Sequence, residues 1–110
     1  MKMNVLSKHL RLKTTQNILS KGKKMKIEEL KVGEYILSFE DDVFYKSVIT
    51  GINNKKYVEV HDLWCFEKSQ NKALQLDENG DICPLNCIIE IIPKNFSMKN
   101  LQNLYPEYFI

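Results

Sequence analysis

MKIEELKVGEYILS, residues 25–38, decides how this chain is read. Ile27 and Leu30 stand three apart, the spacing of one helical turn set down on a core. Val32-Gly33 then turns the chain. Beyond it Tyr35 and Leu37 alternate with Glu34, Ile36 and Ser38, the period of two that marks a strand entering a sheet. Upstream lies a basic leader without an acidic residue; downstream lie short strand patterns and one terminal helix pattern.

Working downstream, Glu40-Asp41-Asp42 forms a charged turn, and Val43 to Thr50 reads as a second strand that is apolar on both faces near its centre. Gly51-Ile52-Asn53-Asn54-Lys55-Lys56 holds a hairpin turn, since asparagine tolerates positive φ. Tyr57 to Cys65, rich in β-branched and aromatic residues, is a third strand. Glu67 to Lys72 is a polar loop, and Ala73–Leu76 a fourth strand. Asp77-Glu78-Asn79-Gly80 is the clearest turn signal in the chain. Ile82-Cys83-Pro84 resumes an extended path, because Pro84 drives Cys83 away from helical angles. Cys87 to Ile92 is a fifth strand interrupted only by Glu90, and such a run belongs in the middle of a sheet or barrel. Pro93 stops it. Ser97 then caps a short helix carrying Met98, Leu101 and Leu104 at helical spacing, and Pro106 ends that helix. Tyr105, Tyr108, Phe109 and Ile110 form an aromatic tail, expected to cover the open end of a barrel, with a sticky surface patch as the alternative.

The expected fold is therefore mainly β with minor α. It is a small, strongly bent, five-stranded antiparallel barrel over residues 25–110 with one short C-terminal helix, preceded by a basic N-terminal arm or helix at residues 1–24. Src-homology and Tudor barrels are the nearest architectures. Folds of this kind host unrelated functions, so architecture alone assigns none.

At 110 residues the chain makes one domain, whose core hides about two-thirds of the unfolded surface. No apolar run approaches the roughly 18–20 residues needed to cross a bilayer. Lys8, His9, Arg11 and Lys13 split the apolar residues of the leader, which denies it the continuous apolar stretch of a secretory signal. Three cysteines is an odd count. Without a secretory context it points to reduced thiols in a cytoplasmic protein.

The net charge of +2 conceals an asymmetry. Residues 1–24 carry Lys2, Lys8, Arg11, Lys13, Lys21, Lys23 and Lys24 with no acid, a charge of +7. The remaining nine basic residues face all fourteen acids in residues 25–110, which leaves −5. Lys8, Arg11, Lys13, Lys21, Lys23 and Lys24 are candidates for contact with the phosphates of a nucleic acid or with an anionic protein surface. The alternative is a solvated tail, or an upstream extension of a protein that begins at Met25. The arm holds no aromatic residue and so has no base-stacking platform of its own.

Trp64, beside Leu63 and Phe66, is a candidate anchor for a partner if exposed and a core residue if not. Tyr105 and Tyr108 join it as candidates for a partner-binding patch. His61-x3-Cys65 with Cys83-x3-Cys87 is a weak metal candidate, since imidazole and thiolate suit zinc. His61 and Cys65 share one strand face by parity. Strand residues four apart lie roughly 13 Å from each other, too far for one ion unless a bulge intervenes. A Cys–His nucleophile pair lacks the helix N-terminus or cationic cluster that lowers a thiol pKa. Glu40-Asp41-Asp42 and Asp77-Glu78 with Asp81 read as solvated turns, lacking the ligand alternation of a calcium loop. Isolated glycines form no phosphate loop, and no common hydrolase motif is present.

KIEELKVGEYIL at residues 26–37 and IIEIIPKNFSMKNLQNLYPEYF at residues 88–109 resemble small uncharacterised proteins of Bacteroidetes genomes and their phages and mobile elements. Those often start with an Ile-Glu-Glu-Leu-Arg-Ile-Gly-Asn-like segment and close with a strand, an Ile-Pro pair and a short helix ending in aromatics. Ile27-Glu28-Glu29-Leu30, Val32-Gly33 and Ile92-Pro93 match. Lys94-Asn95-Phe96 departs from the usual Leu-Thr start of the helix. The resemblance implies a bacterial, phage-borne accessory protein starting near Met25, and brings no activity with it.

The expected function is that of a non-catalytic binding protein that docks on another protein, inhibition of a host or defence protein being the natural case for a phage factor. The first alternative is nucleic-acid binding through the arm with Lys55-Lys56. The second is a small zinc- or thiol-dependent enzyme. No cofactor and no membrane association are expected.

Overall fold

Leu30 is where the chain first commits to a core. In the computed structural model, which describes residues 25–109, Ile27–Glu29 form one 3-10 turn and Leu30 is buried behind it. Gly33 takes φ +96°, a left-handed angle that side chains resist. Its N–H donates to the carbonyl of Ile49, so the turn is already stitched to the sheet before the first strand begins.

Five strands follow: β1 (Tyr35–Glu40), β2 (Val43–Gly51), β3 (Tyr57–Glu67), β4 (Lys72–Pro84) and β5 (Ile88–Ile92). All pair antiparallel in the order β4-β3-β2-β1-β5. The β1–β2 turn is made by Asp41 and Asp42, both at positive φ, which matches the right-handed twist of the flanking strands. The Asn54 side chain accepts from the N–H groups of Lys56 and Tyr57 and so closes the next turn.

The β4–β5 connection bends the sheet. In a flat sheet these two end strands would stand four spacings apart, roughly 19 Å. Only Leu85–Cys87, one 3-10 turn, joins them, and a four-step path of extended chain reaches about 14 Å. The sheet therefore curls. Val58, Val60, Cys83, Cys87 and Ile88 from both flanks meet Leu30, Ile36 and Ile49 in one buried cluster on its inner face. Among the described residues no ladder joins β4 to β5, so the sheet is open where a closed barrel was expected.

The outer face carries the second core. Leu37, Phe39, Phe44, Phe66, Ile89 and Ile92 pack under Phe96, Leu101 and Tyr105. The helix α1 (Met98–Leu104) starts at Ser97, whose Oγ accepts from the N–H of Asn100 while the Asn100 side chain accepts from the N–H of Ser97. A 3-10 turn, Pro106–Phe109, completes the tail. The aromatic tail thus lies on the outer sheet face, not over an open end: Phe66 stacks on Phe109 with centroids 4.4 Å apart, and Phe44 on Tyr105 at 5.4 Å.

Two expectations fail for one reason, backbone pairing. Asp77-Glu78-Asn79-Gly80 does not turn the chain back; β4 runs through it. Between Asp62↔Glu78 and Val60↔Asp81 the fourth strand carries one residue more than its partner, and Gly80 at φ +81° sits in that bulge. Among the described residues the fifth strand pairs with β1 alone, so it lies at the end of the sheet and not in its middle. Its apolar run is used on both faces, Ile88 inward and Ile89 and Ile92 under the tail.

Candidate functional site

β4 is the longest strand, and most of its residues are exposed. Among the described residues no strand pairs with its outer edge. Every second N–H and C=O of such an edge points away from its neighbour and can template another extended chain. Beside it, where β4 passes the start of α1, lies a cavity of about 370 Å³ lined by Ala73, Leu74 and Gln75 of β4 together with Trp64, Phe96, Ser97 and Met98. Trp64 is half-buried and stacks on Phe96, centroids 6.4 Å apart and rings 16° from parallel. Its ring therefore forms a rigid apolar wall and not a mobile anchor. Further along the same strand a second, more open hollow is lined by Glu78, Asn79, Gly80, Asp81 and Ile82. The edge is thus apolar at one end and acidic at the other, with Asp77, Glu78 and Asp81.

The groove is held open by Lys46. This residue lies on the outer face of β2, 7% exposed, and its Nζ donates to the carbonyls of Lys94 at 2.6 Å and Phe96 at 2.9 Å. It fixes the segment between β5 and α1 against the sheet, with the Tyr35 ring 5.6 Å away. Burial pushes its pKa down.

The structure separates the other candidate residues. Tyr105 is buried, its ring against Phe44, which removes it from any surface patch. Burial, then the charges of Glu90 and Glu107, push its hydroxyl up to about 12. Tyr108 is half-buried on Phe39 and Phe44. Lys8, Arg11, Lys13, Lys21, Lys23 and Lys24 lie outside the described residues.

The metal candidates do not converge. Leu63 is an extra residue in β3, between Ser47↔Asp62 and Lys46↔Trp64. That bulge reverses the parity on which His61 and Cys65 were placed together. Cys65 faces inward with Tyr45 and Val43, and His61 stands on the outer face opposite Val48, its Nε2 2.6 Å from Asp77 Oδ1. Cys83 and Cys87 are packed in the inner apolar cluster. All three cysteines are buried and outside any disulfide. Among the described residues no three histidine, cysteine or acidic side chains gather as a metal site. Burial, then the charges of Glu67 and Asp62, push the Cys65 thiol up, the opposite of what a thiolate nucleophile needs.

The edge of β4 leaves no local signature, because Asp77-Glu78-Asn79-Gly80 in its middle has the composition of a turn. The fourth strand expected at Ala73–Leu76, the turn after it and the extended Ile82-Cys83-Pro84 are one continuous strand, Lys72–Pro84. Comparison with protein-family models, curated proteins and solved structures found no match. Among the described residues no helix is long and apolar enough to cross a membrane.

Proposed function

We propose that this chain is a non-catalytic binding protein that captures an extended segment of another protein along β4. The observation that carries the reading is the long edge of β4, to which no strand among the described residues pairs, running beside a groove walled by Trp64, Phe96 and Met98. Backbone pairing supplies affinity in such docking, and pockets for alternate side chains supply selectivity. The segment it fits is apolar where it meets the groove and basic where it meets Asp77, Glu78 and Asp81. In this reading the curled sheet serves as a small, barrel-like frame that holds the edge rigid. The resemblance to phage and mobile-element proteins supports a host protein as the partner, one whose basic segment ordinarily meets nucleic acid.

The test is affinity capture from host lysate with three full-length baits: the native chain, Ala73→Arg and Val32→Arg. Ala73 is exposed and lines the groove, so arginine fills the groove and sets a charge where the apolar part of the segment would lie. Val32 is 61% exposed and lines neither hollow along β4. One stoichiometric protein held by the native chain and Val32→Arg, and lost with Ala73→Arg, supports the proposal. Capture of nucleic acid alone, or capture indifferent to Ala73→Arg, counts against it and favours the basic leader as the binding element.

A further inference from the structure

The first half of β4 is regular between two interruptions. Asn71, at φ 50°, precedes it, and the bulge that holds Gly80 breaks the ladder after Glu78. The seven residues 72–78 between them alternate without a break, and Gln75 is their midpoint. Leu74 stands opposite Cys65 of β3, and Leu76 packs on the inner cluster of Val43, Tyr45 and Cys65. By parity Lys72, Leu74, Leu76 and Glu78 share the inner face, and Ala73, Gln75 and Asp77 the outer. Lys72, Leu74 and Glu78 are exposed and Leu76 is half-buried. Leu74 is 42% exposed, unusual for a leucine on the face that carries the core.

The inner-face series reads Lys-Leu-Leu-Glu, and it is complementary to itself when reversed. Side chains directly opposite in an antiparallel pair lie on the same face and touch. A two-fold axis perpendicular to the sheet at Gln75 sets Lys72 opposite the partner's Glu78 and Leu74 opposite the partner's Leu76, and the symmetry repeats both contacts. On the outer face the small Ala73 side chain leaves room for the partner's Asp77. Gln75 meets the partner's Gln75, and each amide can both donate and accept. Neighbouring registers lose the match. With Leu74 on the axis, Lys72 faces the partner's Leu76. With Leu76 on the axis, Leu74 faces the partner's Glu78. Of the three, the Gln75 register alone joins opposite charges and apolar side chains together, and it is the one centred on the unbroken stretch.

We propose that β4 pairs antiparallel with β4 of a second copy about Gln75, so that two sheets join edge to edge in a symmetric dimer. Two leucine pairs form its centre and two lysine–glutamate pairs close its ends. A carboxylate accepts several hydrogen bonds at once, so the Lys72 ammonium adds to the contacts that Glu78 already makes. One short strand from each copy is a small interface, and the dimer is therefore concentration-dependent. In dilute solution the edge is open. The pairing shares its edge with the proposed capture of a foreign segment but does not rest on that capture. Its consequence for capture is competition, since an incoming segment must displace the second copy.

Sedimentation equilibrium of the purified full-length chain, from micromolar to millimolar concentration, tests the register. The samples are the native chain, Lys72→Glu, Glu78→Lys, the chain with both substitutions, and an equimolar mixture of the two single variants. The native chain should self-associate. Each single variant should dimerise about tenfold more weakly or worse, because two cross-strand pairs turn from attraction to repulsion. The doubly substituted chain and the mixture should both regain native association, because every lysine again faces a carboxylate. A native chain that stays monomeric throughout overturns the proposal. So does association that the single substitutions leave unchanged, or that neither the double substitution nor mixing restores. No lysate enters these samples, so a failed dimer leaves the capture reading standing, and failed capture leaves the dimer.

Discussion

Lys46 shows how a single residue sets the geometry of the groove beside β4. Lys46 lies in the middle of β2 and is buried where the β5–α1 segment crosses it. Two carbonyls depend on its ammonium. Lys46→Met should keep the stem's packing yet cost about 1–3 kcal/mol, because buried acceptors lose their donor; urea unfolding measures it. Tyr105 makes a second residue-level prediction. Its hydroxyl titrates near about 12 in the fold against 10.0 ordinarily. A raised folded pKa means the unfolded chain releases the proton first. The Tyr105 contribution is thus complete below pH 10 and is lost as pH rises through about 12. Lys46 acts with the opposite sign: its lowered pKa makes the folded chain shed a proton first, so stability gains with rising pH until 10.5 and no further. Above that pH the Tyr105 effect stands alone of the two. Urea midpoints across this range should fall for the native chain and fall less for Tyr105→Phe.

At the scale of elements, bulges decide what the sequence could not. The alternation in β1, the Asp41-Asp42 turn, the Ser97 cap and the helical spacing of Met98 and Leu101 are local signals, and local signals are legible. A bulge is set by how two strands share their length, and that depends on the partner. Leu63 moves Cys65 to the inner face and dissolves the apparent His61–Cys65 pair. Gly80 turns an apparent reverse turn into a bulge within β4. Gly80 carries φ +81°, so Gly80→Val should cost about 1–2 kcal/mol, with the loss concentrated in hydrogen-exchange protection of β3 and β4. Ser97→Ala should cost about 0.5–2 kcal/mol, since the seven-residue helix has little intrinsic stability of its own.

For the whole molecule, one sheet serves two cores. The inner cluster holds the curl, and the outer cluster holds the helix and tail. Leu101 has no exposure and is the helix's deepest contact with the sheet. Leu101→Ala should cost about 2–5 kcal/mol, seen as a lower thermal midpoint together with a changed Trp64 emission as the groove loosens. The mainly β class with one late helix was legible because alternation and turn chemistry repeat along the chain. The open edge was not, because closure depends on the reach of Leu85–Cys87 and on what lies against β4, neither of which leaves a local pattern. Amide hydrogen exchange reads out the proposed docking of a protein strand on β4. The full chain is compared alone and saturated with the protein it captures. The account predicts new protection at alternate amides of Lys72–Pro84, those pointing away from β3. Protection gained only elsewhere, with the β4 amides exchanging as in the free chain, would contradict it.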